Sequence, residues 1–120
     1  MTRGELRSPG MTADSVPLGV LEEQILVAVV RTGDDAYGME VRREIERVTG
    51  RDLAIGAVYA TLDRLEAKAL LRSRRTFGDG PSRRRFELTR VGAHALTETR
   101  AMRERLWAGV SVAALKGMAY

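Results

Sequence analysis

The sequence predicts a mainly α-helical fold with a small β-hairpin, an α+β arrangement. Apolar residues recur at spacings of three and four in four segments, which is the pattern of amphipathic helices. Between the third and fourth segments the period changes to an alternation around a turn-forming stretch, which indicates a hairpin. The length of 120 residues, with 44% hydrophobic and 30% charged residues, fits one globular domain.

Residues 1–17 mix Ser, Gly, Pro and Thr without an apolar period, so we expect a flexible leader. The first helix is predicted to begin at Leu18 and to end before Gly33, because glycine followed by short polar residues stops a helix. The second and third helices are predicted over residues 37–48 and 55–68. Their apolar stripes are Val41, Ile45 and Val48 in the second helix, and Ile55, Val58, Leu62 and Leu65 in the third.

The hairpin is predicted from two short strands, residues 71–77 and 83–88, in which Phe86 and Leu88 alternate with polar residues. The stretch between them, Gly-Asp-Gly-Pro-Ser, is a strong turn signal. Thr89 is a suitable N-cap for a fourth helix, predicted to run from residue 90 to about residue 114. The apolar stripe of that helix is wider than one small domain can cover, which favours a partner helix.

The positive charge is concentrated in the hairpin. Residues 71–90 hold seven arginines against two acidic residues, whereas the rest of the chain is almost neutral and the whole chain carries +4. Three helices followed by a hairpin form a winged helix-turn-helix, predicted over residues 18–89, and residues 90–120 form a dimerisation helix. The third helix would enter the major groove of double-stranded DNA, and the arginine-rich wing would contact phosphates. The alternative is a solvated loop in an arginine-rich chain.

Several function classes are excluded by composition. The chain has no cysteine, a single histidine (His94) and no phosphate-cradling glycine-rich loop, so we expect neither an enzyme nor a metal or cofactor site. The longest apolar run has six residues, so no membrane segment is expected. A cytoplasmic location fits this composition.

Four separated segments together resemble the PadR family of transcriptional regulators. They open the first and second helices, form the third helix and close the wing: Leu21–Leu26, Ala36–Val41, Ile55–Glu66 and Arg83–Gly92. The resemblance covers about residues 18–102. This chain has alanine at four positions where the family usually has another residue. Family members usually have Ser or Thr near Ala54 and Ala57, Pro near Ala60, and Gly at the position of Ala69.

The resemblance implies a homodimeric repressor that binds a palindromic operator and is often released by a small effector. It also implies dimerisation through the C-terminal and first helices. The expected interface residues are Leu21, Leu96, Met102, Leu106, Trp107 and Val110. A small aromatic or lipophilic effector would lie beside Trp107 and Arg103, and the alternative is that Trp107 is a plain anchor of the dimer interface.

The predicted DNA-binding residues lie at the start of the second helix, along the third helix and on the wing. They are Tyr37, Gly56, Ala57, Tyr59, Ala60, Arg64, Arg74, Arg75, Arg83, Arg84 and Arg85. Tyr59 could instead plug the edge of the core, and Arg64 could pair with a neighbouring acidic residue. Binding of RNA or of a protein partner, without effector control, is the alternative function.

Overall fold

A computed structural model describes residues 17–78 and 80–120. The predicted leader, apart from Pro17, lies outside the described residues. The elements are α1 (Val20–Thr32), one 3-10 turn (Gly33–Asp35), α2 (Gly38–Thr49), α3 (Ile55–Ala67), β1 (Leu71–Gly78), β2 (Gly80–Leu88), α4 (Arg90–Trp107) and α5 (Val112–Ala119). The predicted order of helices and hairpin is confirmed.

Helix α1 begins two residues later than predicted. The Gly19 N–H donates to the Glu22 carboxylate at 3.0 Å, which caps the first turn. One residue earlier, the Leu18 N–H donates to the buried Thr99 hydroxyl of α4 at 3.2 Å. The chain therefore enters the domain fastened to α4.

The core lies where α1, α2 and α3 meet the base of the hairpin. Its largest fully buried side chains are Phe86, Ile25, Leu26, Leu62, Leu65, Leu71, Val41 and Val58. The stripe predicted for α3 faces this core. Val48 of α2 does not, because 55% of it is exposed. Val48 instead lines an open groove between α1, α2 and α4, of about 330 Å³.

Helix α3 ends in a left-handed residue that is not glycine. Ala69 has a φ of 63°, while its N–H donates to Glu66 and the next N–H, that of Leu70, donates back to Leu65. This is the hydrogen-bond pattern of a Schellman cap, in which glycine is the usual residue. The alanine therefore adopts the strained conformation and the cap still forms.

The hairpin is longer than predicted, because both strands extend into the expected turn. The antiparallel register pairs Leu71 with Leu88 and Arg75 with Arg84. The outer edge of β2 is partly covered, since the Phe86 N–H donates to the Ala36 carbonyl at 2.9 Å. The wing is thus anchored along its inner half and projects from the domain in its outer half.

The prediction of one continuous C-terminal helix to residue 114 is wrong. Thr89 caps α4 as predicted, through the Gly92 N–H at 3.0 Å, but α4 ends at Trp107. Gly109 then adopts a φ of 80°, a left-handed conformation open to glycine, and Ser111 caps the separate helix α5. Val110 therefore lies between helices. Residues 103–120, all exposed, are called the C-terminal arm below.

Across the described ranges, no helix combines the length and the apolar character needed to cross a membrane. The same part of the chain holds no group of three acidic or histidine side chains placed to bind a metal ion.

Candidate nucleic-acid interface

Two tyrosines meet at the start of α2. Tyr37 is the N-cap residue of α2, and Tyr59 lies on the first turns of α3. The Tyr59 ring packs directly on Gly38, where an added Cβ would come within 2.4 Å of ring atoms. Glycine allows this approach, because a Cβ at residue 38 would displace the Tyr59 ring.

Arginines of the outer wing close over the tyrosines. The Arg83 guanidinium lies 3.9 Å from the centre of the Tyr37 ring, a cation–π contact. A groove of about 240 Å³ runs between the wing and the two helix starts. It is called the basic groove here, and its lining is Tyr37, Gly38, Met39, Tyr59, Arg75, Ser82, Arg83 and Arg84. The structure therefore brings five of the predicted site residues together.

The outer face of α3 continues from the basic groove and is open. Gly56, Ala57 and Ala60 are all exposed, and nothing lies within 4 Å of a Cβ built at Gly56. Small side chains let another molecule come close to the helix backbone. Farther along, Arg64 lies 3.6 Å from the Glu22 carboxylate of α1, with its side chain half exposed.

Arg84 is held by two carboxylates of α3. Its Nη1 lies 2.8 Å from Asp63 Oδ1 and its Nη2 lies 2.5 Å from Glu66 Oε1. Glu66 also accepts hydrogen bonds from the Ser73 N–H at 3.0 Å and from the Ser73 hydroxyl at 2.7 Å. The Ser73 hydroxyl and Arg84 together lower the pKa of Glu66, although burial acts to raise it.

Two other predicted wing arginines lie outside the basic groove. Arg74 donates to Glu87 at 3.0 Å. Arg85 lies beside the 3-10 turn, 3.9 Å from Asp34, and only about a quarter of its side chain is exposed. Arg74 and Arg85 pair with each other on the face of the hairpin opposite to Arg75 and Arg84. Arg83 shares their face by alternation and nevertheless lines the basic groove, where it lies over the Tyr37 ring.

The predicted effector residues lie on α4, far along the chain from the wing. Trp107 is 52% exposed and forms a shallow depression with Arg100, Arg103 and Glu104. Arg103 forms an ion pair with Glu23 of α1. Leu21, Leu96 and Met102 are partly buried, whereas Leu106 and Val110 are exposed.

Sequence reasoning missed the partners of the wing arginines. The sequence spacing of Asp63 and Glu66 could have predicted a site for Arg84, because residues three apart on a helix lie on the same face. No such signal was available for Gly38, since the ring that packs on it lies 21 positions away in the sequence.

Comparison with known proteins decides the family. The family model for "Transcriptional regulator PadR-like family" matches residues 25–98, which span α1 to the first half of α4. The chain belongs to the PadR-like family. It is therefore a transcriptional regulator rather than an enzyme, and its helices and hairpin form the winged helix of that family.

A curated relative and two solved structures are similar to this PadR-like chain. The transcriptional regulator Rv3488 of Mycobacterium tuberculosis (strain ATCC 25618 / H37Rv) is 38% identical over 73 residues, 61% of this chain and 67% of that protein. A PadR family regulator from Clostridium difficile R20291 has a TM-score of 0.61 at 25% identity, covering 77% of this chain and 94% of that one. The PadR-like regulator BC4206 from Bacillus cereus strain ATCC 14579 has a TM-score of 0.63 at 24% identity, covering 83% and 92%.

Proposed function

We propose that this PadR-like regulator is a homodimeric repressor that binds a palindromic operator in double-stranded DNA. The observation that carries the proposal is the basic groove. There, the start of α2, the start of α3 and the outer wing bring two tyrosines and three arginines together beside the open face of α3. A cytoplasmic location is part of the proposal and fits a chain without cysteine.

Each part of the interface has its own role in this proposal. The exposed face of α3, with Gly56, Ala57 and Ala60, enters the major groove, which admits a helix. Arg75 and Arg83 of the wing bind phosphates. Tyr37 supports Arg83 through its ring, and the Tyr59 hydroxyl and the positive end of α2 lie beside the same backbone.

Exposed apolar residues of the C-terminal arm support the proposal of a homodimer. The arm exposes Leu106 (71%), Trp107 (52%) and Met118 (83%), and the open apolar groove at Val48 lies between α1, α2 and α4. The described chain has a radius of gyration of 17.3 Å, whereas a compact domain of 100 residues has about 13 Å. A second copy of the chain covers these surfaces and places two α3 helices for two operator half-sites.

DNA binding is tested by selection from a randomised pool of duplexes. We expect the wild-type chain to enrich an inverted repeat with half-sites about one helical turn apart. R75Q and R83Q should each reduce the slope of log K against log salt by about one, as expected for one lost phosphate contact.

Two further variants sharpen this test. R105Q removes the same charge from the exposed surface of α4 and should leave the salt slope unchanged. Y59F keeps the ring on Gly38 and removes only the hydroxyl, so it should weaken binding to the selected duplexes without unfolding the domain. Preference for RNA over duplex DNA, or failure to enrich any duplex, would refute the proposal.

The proposal includes release of the operator by a small effector that binds at the exposed end of α4. A planar aromatic ligand stacks on Trp107, and its binding separates Arg103 from Glu23, so that α4 tilts relative to α1. Trp107 is the single tryptophan, so titration with naphthoate and with N-methylquinolinium should quench its fluorescence and release operator DNA at matching concentrations. Quenching without release would leave Trp107 as an interface anchor.

A further inference from the structure

The arginines of the outer wing differ in whether carboxylates of the domain form ion pairs with them. Within residues 17–78 and 80–120, Arg75 and Arg83 are exposed and form no ion pair with a carboxylate. The Arg84 side chain is 28% exposed and forms ion pairs with both Asp63 and Glu66. To bind a phosphate, Arg84 would have to give up two charge-assisted hydrogen bonds, the strongest class in proteins.

The contacts of Arg84 connect both strands of the wing to one turn of α3. Glu66 receives the Arg84 guanidinium from β2 and both donors of Ser73 from β1. The guanidinium also lies 4.8 Å from the centre of the Phe86 ring, which is buried in the core. The planar fork of arginine matches this site, whereas a lysine ammonium could serve only one carboxylate well.

These contacts lie where the wing leaves the domain. Phe86 and Leu71 fasten the inner half of the hairpin in the core, and Phe77, near the tip, is 84% exposed. Between these two ends, hydrogen bonds from Arg84 and Ser73 to the carboxylates of Asp63 and Glu66 connect the wing to α3. Two carboxylates on the outer side of α3 would also repel DNA if no cation neutralised them.

We propose that Arg84 is a positioning residue. It fixes the angle between the wing and α3 by bridging Asp63 and Glu66, and it does not itself bind phosphate. The inference rests on the proposed DNA binding, and it assigns Glu66, an acidic residue of the recognition helix, a favourable role in binding a polyanion.

The sign of one substitution tests the proposal. E66Q is isosteric and removes a negative charge from the wing-facing side of α3. If Arg84 bound phosphate, E66Q would free it and strengthen binding to every duplex. If Arg84 positions the wing, E66Q should weaken binding to the selected operator about tenfold and change binding to a random duplex less than about twofold. Unchanged or stronger operator binding would overturn the proposal.

Arginine variants give an independent readout. R84Q should lower operator affinity about tenfold with an unchanged salt slope, whereas a lost phosphate contact reduces the slope by about one. R84K keeps the charge and loses the fork, so it should resemble R84Q rather than the wild type. The double variant R84Q/E66Q should bind no worse than the weaker single variant, because both remove the same bridge. A reduced slope, or wild-type affinity in R84K, would contradict positioning.

Wing geometry can be measured directly because the chain has no cysteine. We place one spin label at F77C, near the exposed wing tip, and one at D52C, in the exposed loop before α3. The distance between the two labels reports the position of the wing relative to the domain. Labelled chains are diluted into unlabelled ones, so that only distances within one chain are measured. The E66Q chain should give a broader distance distribution than the wild type, at an unchanged helical content. An equally narrow distribution would show that other contacts fix the wing.

Controls separate this inference from the proposed function. E98Q makes the same charge change on exposed α4 and should bind operator like the wild type. If the wild type selects duplexes and R83Q lowers the salt slope, DNA binding stands whatever the Arg84 variants do. If the wild type selects no duplex, the distance distributions still decide whether Arg84 and Glu66 hold the wing.

Discussion

The winged part and the C-terminal arm use similar apolar residues in opposite ways. Within the winged part, Ile25, Leu62 and Phe86 are at most 1% exposed, because three helices and the hairpin cover one another. In the arm, Leu106 and Met118 are more than 70% exposed, and α5 has only eight residues. A helix this short is not stable in water alone. The winged part therefore supplies its own stability, whereas the arm needs another surface to cover its apolar side chains.

The largest effect is expected in the winged part, at Phe86. F86A removes a fully buried ring at the hairpin base, and we expect the free energy of unfolding to fall by about 3–5 kcal/mol. The chain contains one other phenylalanine, Phe77, which provides a matched control because it lies exposed near the wing tip. F77A should change the free energy by less than about 0.5 kcal/mol. Urea unfolding measures both, and equal losses would contradict the assignment of the core.

The next effect tests the arm. L106E places a charge on the exposed apolar face of α4, and we expect the dimer dissociation constant to rise at least about tenfold, with a matching loss of operator affinity. V91E adds the same charge at an exposed position in the first turn of α4, where the helix dipole favours it, and should leave the dimer intact. Sedimentation at several concentrations measures both. A wild-type chain that is monomeric throughout would remove the contrast between the two regions.

A smaller effect is expected at the end of α3. In A69G, glycine removes the penalty of the left-handed alanine, which is about 1–2 kcal/mol. Glycine also raises the entropy of the unfolded chain, which destabilises the fold by about 0.4–1 kcal/mol. We therefore expect a net stabilisation of roughly 0.5–1 kcal/mol, from the balance of these two terms. A67G, at the last helical residue of α3, should destabilise by less than about 1 kcal/mol, the penalty for glycine in a helix interior. Thermal unfolding distinguishes the two signs, and destabilisation by both would contradict the left-handed cap.

The smallest effect concerns pH. Hydrogen bonds from Arg47 and then Arg31 lower the pKa of Glu44 to about 2. A carboxyl with a lowered pKa stabilises the fold above its unfolded pKa of about 4.5, and this stabilisation is lost as the pH falls towards about 2. The difference in melting temperature between wild type and E44Q should therefore be largest above about pH 5 and shrink as the pH falls towards about 2. A difference of the same size at pH 6 and at pH 2 would contradict these ion pairs.

The sequence could predict the winged part because its signals are local. The apolar stripe of α3, the Thr89 cap and the turn residues of the hairpin each depend on neighbours a few positions away. The break in the C-terminal helix was missed because Trp107, Val110 and Ala114 also fit a continuous apolar stripe. That stripe outweighed Gly109, whose left-handed φ lies in the turn that follows Trp107, after Ala108 has already left the helical conformation.

The candidate site was predictable only in part, for a different reason. Charge concentration identified the wing, but it could not distinguish an arginine free to meet a ligand from one held within the domain. Arg75 and Arg84 pair across the hairpin and share a face, yet only Arg84 reaches Asp63 and Glu66. The distinction therefore depends on which strand position lies opposite those two carboxylates. Contacts such as Arg83 on Tyr37 and Tyr59 on Gly38 form between elements distant in sequence.

The junction between the hairpin and α4 consists of a single residue, Thr89. Its hydroxyl donates to the Ala69 carbonyl at 2.6 Å and accepts from the Gly92 N–H at 3.0 Å, and its own N–H donates to Leu70. Three hydrogen bonds thus hold the start of helix α4 at Thr89, and the 18 residues of the helix span about 27 Å. A tilt of α4 by about 5° about Thr89 moves the far end of the helix by about 2 Å over that length. In the same way, a displacement of the far end by about 2 Å tilts the helix by about 5°. A rotation of α4 about Thr89 would therefore also rotate the base of the wing, because no further linker residue separates the two elements.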